Sequence, residues 1–342
     1  MRATLPLLTL CLLAACADEV KDDAADGGVP GDAAIKMDGP PVIVPDGRIS
    51  DATGGTPDTG VTQTGTYTHY VTNSLKVGAT AVEANSFAFD LDGDGEVDDA
   101  LGRTLALVGA FLDVDGRINV ALKAGQIILL HSLRADSLTS DTTTSWRVLV
   151  GDQAPTPKYD GTDTFTVSPS SPAEAVLGGK ITSGAYLGGP SIVSVEVAFL
   201  EGVPPIRFRL INAQLAAKVT ENGCTGGRIG GAITQKDIDG NVLPALAAGL
   251  DSVIAGDAGC RQNLNDCDDN SKMLLGLFDT DPKDRMITLN ELQGNFIINL
   301  LFTNDLDLLG DDGNPGKDGQ LDSTSLALAF TCVKAGFTVA GE

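Results

Sequence analysis

The sequence predicts an α+β fold: an antiparallel β-sandwich with a C-terminal α-helical, EF-hand-like insertion and a final strand that returns to the sheet. Three observations carry this expectation. Residues 192–200 and 205–211 alternate apolar and polar, with Glu196, Arg207 and Arg209 on one face. That period of two is the mark of half-buried antiparallel strands. After residue 231 the period lengthens, and Leu243, Leu246, Leu250, Val253 and Ile254 fall on one helical face. Residues 324–333 alternate again, so a strand follows the helices and ties them to the sheet.

The chain divides into four parts. Residues 1–16 read as a processed leader. Arg2 gives a positive charge, a short apolar run follows, and Leu13-Ala14-Ala15-Cys16 closes it with small residues before a cysteine. The apolar run is about half of the ~20 residues a spanning helix needs, and no later stretch reads as a span. The tetrapeptide resembles the bacterial lipobox. That resemblance implies a lipid on Cys16 and, with Ala17 next, an outer-membrane address in the cell envelope.

Residues 17–66 contain no aromatic and set ten acids against three bases. Such a segment buries too little apolar surface to offset its ordering entropy, so it reads as a disordered acidic tether. About fifty residues at ~5–6 Å × √n span roughly 40 Å. Residues 67–230 read as a β-rich domain and 231–342 as a helical region plus the closing strand. Within them, strands are expected at 67–72, 126–133 and 146–150, and a helix at 100–111. The strands at 192–200 and 205–211 are expected to form a hairpin. Further helices are expected at 243–254, 271–278 and 288–302, and a solvated loop at 310–319.

The net charge of −23 argues against nucleic acid as a partner, because phosphates would be repelled. It suits a binder of divalent cations. Cys11 leaves with the leader and Cys16 takes the lipid, so Cys224, Cys260, Cys267 and Cys332 remain. An even number in an exported chain suggests disulfides. Three pairings are open; Cys260–Cys267 and Cys224–Cys332 are favoured. A zinc site is the alternative, opposed by the lack of any C-x-x-C spacing.

The sharpest motif is Asp90-Leu-Asp92-Gly-Asp94-Gly95-Glu96-Val97-Asp98. Calcium takes six to eight oxygens, and loop positions 1, 3, 5 and 9 with the position-7 carbonyl supply them. Asp90, Asp92, Asp94 and Asp98 fill the carboxylate positions, Glu96 the carbonyl, and Gly95 the sharp turn. Val97 is expected to point into the core. Position 12 is Leu101 instead of the bidentate Glu, so affinity should be weak, roughly 10⁻⁴ to 10⁻³ M. Asp99 or a distant acid could replace that ligand. The competing reading is an acidic turn without metal.

A second loop places Asp279, Asp281, Asp284, Thr288 and Glu291 as candidate calcium ligands, with the Met286 carbonyl. Its spacing carries one extra residue, and Arg285 stands where the turn Gly belongs. The competing reading is a capped helix after an acidic loop, with Glu291 in its first turn. A third acidic stretch, Asp305, Asp307, Asp311 and Asp312, reads as a solvated loop that could lend the missing ligand.

No His-Glu-x-x-His, Gly-x-Ser-x-Gly or phosphate loop occurs, so no catalytic activity is expected. His131 sits in an apolar strand and reads as a core or edge histidine and not a ligand. One Trp and few aromatics leave little for sugar-stacking platforms. The leader, the Asp-rich tether, the Phe89–Gly95 loop running into Asp99-Ala-Leu-Gly102, the segment 226–232 and the Asp322-Ser-Thr-Ser-Leu326 ending together resemble uncharacterised myxobacterial-type lipoproteins. That resemblance implies no known activity. The expectation is therefore a lipid-anchored surface protein whose calcium is mainly structural. The alternative is a module that uses calcium to hold a glycan or a protein partner.

Overall fold

The computed structural model describes residues 65–339, apart from 173–175, 199, 201 and 311. The leader, Cys16 and the tether up to residue 64 lie outside the described residues, as does Asp311. The protein is built on eight strands: β1 (Thr66–Lys76), β2 (Leu129–Ala135), β3 (Ser140–Val150), β4 (Leu177–Thr182), β5 (Ala185–Val197), β6 (Ile206–Thr220), β7 (Gly223–Thr234) and β8 (Ser323–Lys334). Each pairs antiparallel with the next, and β8 pairs back onto β1 through contacts such as Tyr70 with Lys334 and Lys76 with Ala329.

The expected sandwich is thus corrected to a single closed barrel with helices. Closure removes the free edges that two separate sheets would expose. Bulges in β5, β6 and β7 bend the long strands so that the sheet can curl. The expected hairpin is present, with Val193, Val195 and Val197 opposite Leu210, Phe208 and Ile206.

The barrel interior is a packed core, not a channel. Trp146, Tyr70, Tyr186 and Phe208 are fully buried there among aliphatic residues from all eight strands. His131 belongs to this core. The Trp146 indole donates to its Nδ1 at 3.1 Å, so its Nε2 carries the proton and meets Thr72 Oγ1 at 2.7 Å. Burial pushes the His131 ring down to about 3.

Two groups of helices interrupt the barrel. Between β1 and β2 lie α1 (Ala81–Phe87), α2 (Ala100–Leu112) and α3 (Val114–Lys123). Between β7 and β8 lie α4 (Gln235–Asp237), a π-helical turn (Ile238–Val242), α5 (Leu243–Gly256), α6 (Asp269–Phe278), α7 (Leu289–Gly294) and α8 (Phe296–Leu301). The run from Gln235 to Gly256 is long and apolar enough to cross a membrane by composition. Its Leu243, Leu246, Leu250 and Ile254 are buried in the main core. The single helix expected at 288–302 is broken. Asn295 leaves helical geometry, and its side chain caps Ile297 and Ile298.

Both favoured disulfides are present. Cys224 and Cys332 face each other across β7 and β8, and Cys260 pairs with Cys267.

One seam of the barrel positions the acidic loop. β8 runs beyond the end of β1, so its first half has no strand on that side. The exposed ladder donors are met one by one. Ser323 N donates to the Leu306 carbonyl at 3.2 Å, Ser325 N to Asp305 Oδ1 at 2.8 Å and Ala327 N to Asp99 Oδ1 at 2.8 Å. Two carboxylates therefore stand where a neighbouring strand's carbonyls would be.

Candidate metal centre

The 90–98 loop is pinned to the outer face of the barrel at both ends. Phe89 and Leu91 are buried against Ile211, Ala216 and Ala232. Phe89 lies on Gly230, where an added Cβ would come within 2.9 Å of its ring. Arg228 covers the ring at 4.8 Å. From β6, Asn212 Nδ2 donates to the Leu91 carbonyl at 2.5 Å and Gln214 Nε2 to the Asp90 carbonyl at 3.3 Å. The Asp98 amide donates to the Phe89 carbonyl at 2.9 Å, which closes the loop's base. Val97 does not point into the core as expected; it is 43% exposed. Phe89 and Leu91 fill the outer cluster instead.

Inside the loop the carboxylates organise the backbone. Asp90 accepts from Gly93 N at 2.6 Å and Gly95 N at 3.0 Å. Asp92 accepts from Asp94 N, Asp94 from Glu96 N, and Asp98 from Leu91 N. Gly95 has φ +94°, the left-handed geometry that a turn here requires.

Carboxylate oxygens of Asp90, Asp92 and Asp98 all come within 4.8 Å of one another. Among the described residues this is the one place where three carboxylates converge so closely. Asp94 and Glu96 stay at the exposed tip of the loop. Burial raises the Asp98 carboxyl to about 6; the Leu91 N–H opposes this, while Asp92, Asp305 and Asp94 add to it. The Lys317 ammonium lies against the loop's rim, 2.9 Å from the Asp92 carbonyl and 3.2 Å from its carboxylate.

Asp99 next door is fully buried. Its Oδ1 accepts from Gly102 N at 3.0 Å and Ala327 N, but its Oδ2 has no hydrogen-bond partner. Burial pushes its carboxyl up to about 7, against the two N–H groups and Arg103, with Asp305 adding to the rise. The sequence offers Asp99 only as a spare ligand. Its role as a strap between the loop, the start of α2 and β8 depends on the barrel seam, which no local pattern reveals. Asp305 is engaged there too, by Ser325 N and Oγ, and so the third acidic stretch is partly structural.

The second loop is arranged differently. Asp279 accepts from Asp284 N at 3.2 Å and Arg285 N at 3.0 Å. Asp284 accepts from Met286 N. Glu291 accepts from Thr280 N and Thr288 N, both at 2.8 Å, and forms a capping box with Thr288 at the start of α7. Burial raises Asp279, with Glu291 and Asp284 adding. Burial also pushes Glu291 up, but its hydrogen bonds from Thr288 and Thr280 outweigh that and hold it below the usual value. Asp281 stands beside Pro282 in the exposed part of this loop. The carboxylates of Asp279, Asp281, Asp284 and Glu291 do not draw together as those of the first loop do. The loop has the bonds of a capped helix start, and the helices beside it, α6 and α7, are short.

A third grouping, Asp257 with Cys260 and Cys267, brings ligand atoms together, but both sulfurs are taken by their disulfide. No protein-family profile, no curated protein and no solved structure matches this chain.

Proposed function

We propose that this chain is a non-catalytic, calcium-binding barrel held at the cell envelope, at the outer membrane, by a lipid on Cys16. The convergence of Asp90, Asp92 and Asp98 on a loop with calcium-loop spacing carries the reading. Three clustered carboxylates repel one another, and a hard divalent cation relieves that repulsion. In this reading Asp90, Asp92 and Asp98 supply carboxylate oxygens, Asp94 closes over from the tip, and the Glu96 carbonyl completes the loop's share. The ion is structural: it fixes a loop whose tail, through Asp99, holds the open side of β8. The anchor rests on the residues around Cys16.

The test is thermal melting of the protein with calcium and with a chelator. At 10 mM calcium and a Kd of roughly 10⁻⁴ to 10⁻³ M, stabilisation should be about 1.4–2.7 kcal/mol. Identical melting with and without calcium would sink the reading.

A further inference from the structure

A cavity remote in sequence from the acidic loop brings together neutral carboxamides, one carboxylate and apolar side chains. It opens beside the π-helical turn, has a volume of about 210 Å³, and meets α7 and α8 on its other side. Its polar lining is Gln235, Asp239, Gln293 and Asn299, and its apolar lining includes Ile238 and Phe302. Three of the four polar groups are carboxamides, each both donor and acceptor. The amides of Gln293 and Asn299 are exposed and open to an incoming polar group. Gln235 Nε2 donates to Asp239 Oδ1 at 3.0 Å, which orients one amide and one carboxylate together.

The backbone at this spot is unusual. Leu243 N donates to the Ile238 carbonyl five residues back, in π geometry. Pro244 follows and has no N–H, so it cannot serve the Gly240 carbonyl in an α-helical bond. Single π-turns inside helices recur at functional sites. Here the extra residue sets Asp239 at the rim while Ile238 goes to the floor, buried in the core.

We propose that this cavity binds a single neutral saccharide ring. A hydroxyl both donates and accepts, so it can pair with the carboxamides and also donate to the Asp239 carboxylate, which an anionic, accept-only group cannot do. None of the lining residues is cationic, and the chain carries a charge of −23, so an anionic ligand is disfavoured. The volume is below the ~300–1,000 Å³ of drug-sized sites, which limits the occupant to about one ring. The lone Trp146 is buried in the barrel, and Phe302 is the one aromatic residue in the cavity's lining. This site needs no calcium.

Saturation-transfer difference NMR of the protein with glucose, galactose, mannose and N-acetylglucosamine, each at millimolar concentration and with EDTA, tests the proposal. At least one sugar should show transfer that persists in EDTA. Asn299→Ala with Gln293→Ala should weaken its binding by about tenfold or more, while melting stays unchanged because both side chains are exposed. No transfer from any of the four sugars overturns the proposal. So does binding that the double variant leaves intact, or binding that EDTA abolishes.

Discussion

Replacing Asp99 by Asn removes one titration from the seam of the barrel while keeping a carbonyl oxygen for Gly102 N and Ala327 N. Asp99 is fully buried, and its carboxyl rises from 3.8 to about 7 in the folded chain. A raised acid holds its proton in the folded state when the unfolded chain has already lost it. Between about pH 4 and pH 7 the folded state thus binds one more proton, and stability falls as pH rises. At 1.36 kcal/mol per pH unit, the rise corresponds to roughly 4 kcal/mol. The burial of His131 acts oppositely: its ring is lowered to about 3, so its contribution is lost as pH falls below about 6.5. That contribution is common to both proteins and cancels in their difference. Urea unfolding in EDTA, in steps from acid to slightly alkaline pH, reads the difference directly. Wild type should lose roughly 4 kcal/mol relative to Asp99→Asn over the window. Curves that stay parallel within about 1 kcal/mol would refute the argument from burial.

Three further outcomes are expected. Removing the Cys224–Cys332 disulfide, which spans 108 residues, should cost about 4–5 kcal/mol by the loop-entropy rule, and removing Cys260–Cys267, which spans 7, about 2 kcal/mol; denaturant titration of the two Cys→Ala pairs checks the ratio. Gly230→Val should lower stability by about 1–3 kcal/mol by pressing on Phe89. It should also weaken calcium binding, whereas Gly178→Val, which meets nothing within 4 Å, should leave both nearly unchanged. Trp146→Ala should cost about 3–5 kcal/mol in urea unfolding, because the indole is fully buried and donates to His131.

Legibility in the sequence followed how local each signal was. The β5–β6 hairpin and β8 were readable because their alternation is set by one buried face. β7 was not, since its glycines carry no pattern; Gly227, Gly230 and Gly231 are bare because Phe330, Phe89 and Leu210 press on them. β4 and the start of β5 were hidden by glycines in the same way. α3 carries no clear sequence signal although Val114, Ile118, Ala121 and Leu122 keep helical spacing, because Gly116 and the charges around it mask the stripe. Closure of the sheet depends on β1 meeting β8 across more than 250 residues, which no local period encodes. At the acidic loop, the spacing picks out five candidate positions, of which Asp90, Asp92 and Asp98 bring their carboxylates together. The roles of Asn212, Gly230 and Lys317 depend on chain brought in from elsewhere.

Calcium titration calorimetry on the wild-type protein and on Asp92→Asn bears most directly on the loop's proposed role. The account predicts a saturable heat for wild type with a Kd of roughly 10⁻⁴ to 10⁻³ M. It predicts that heat to be lost or weakened about tenfold or more in Asp92→Asn. No heat at millimolar calcium, or an equal isotherm for the two proteins, would contradict it.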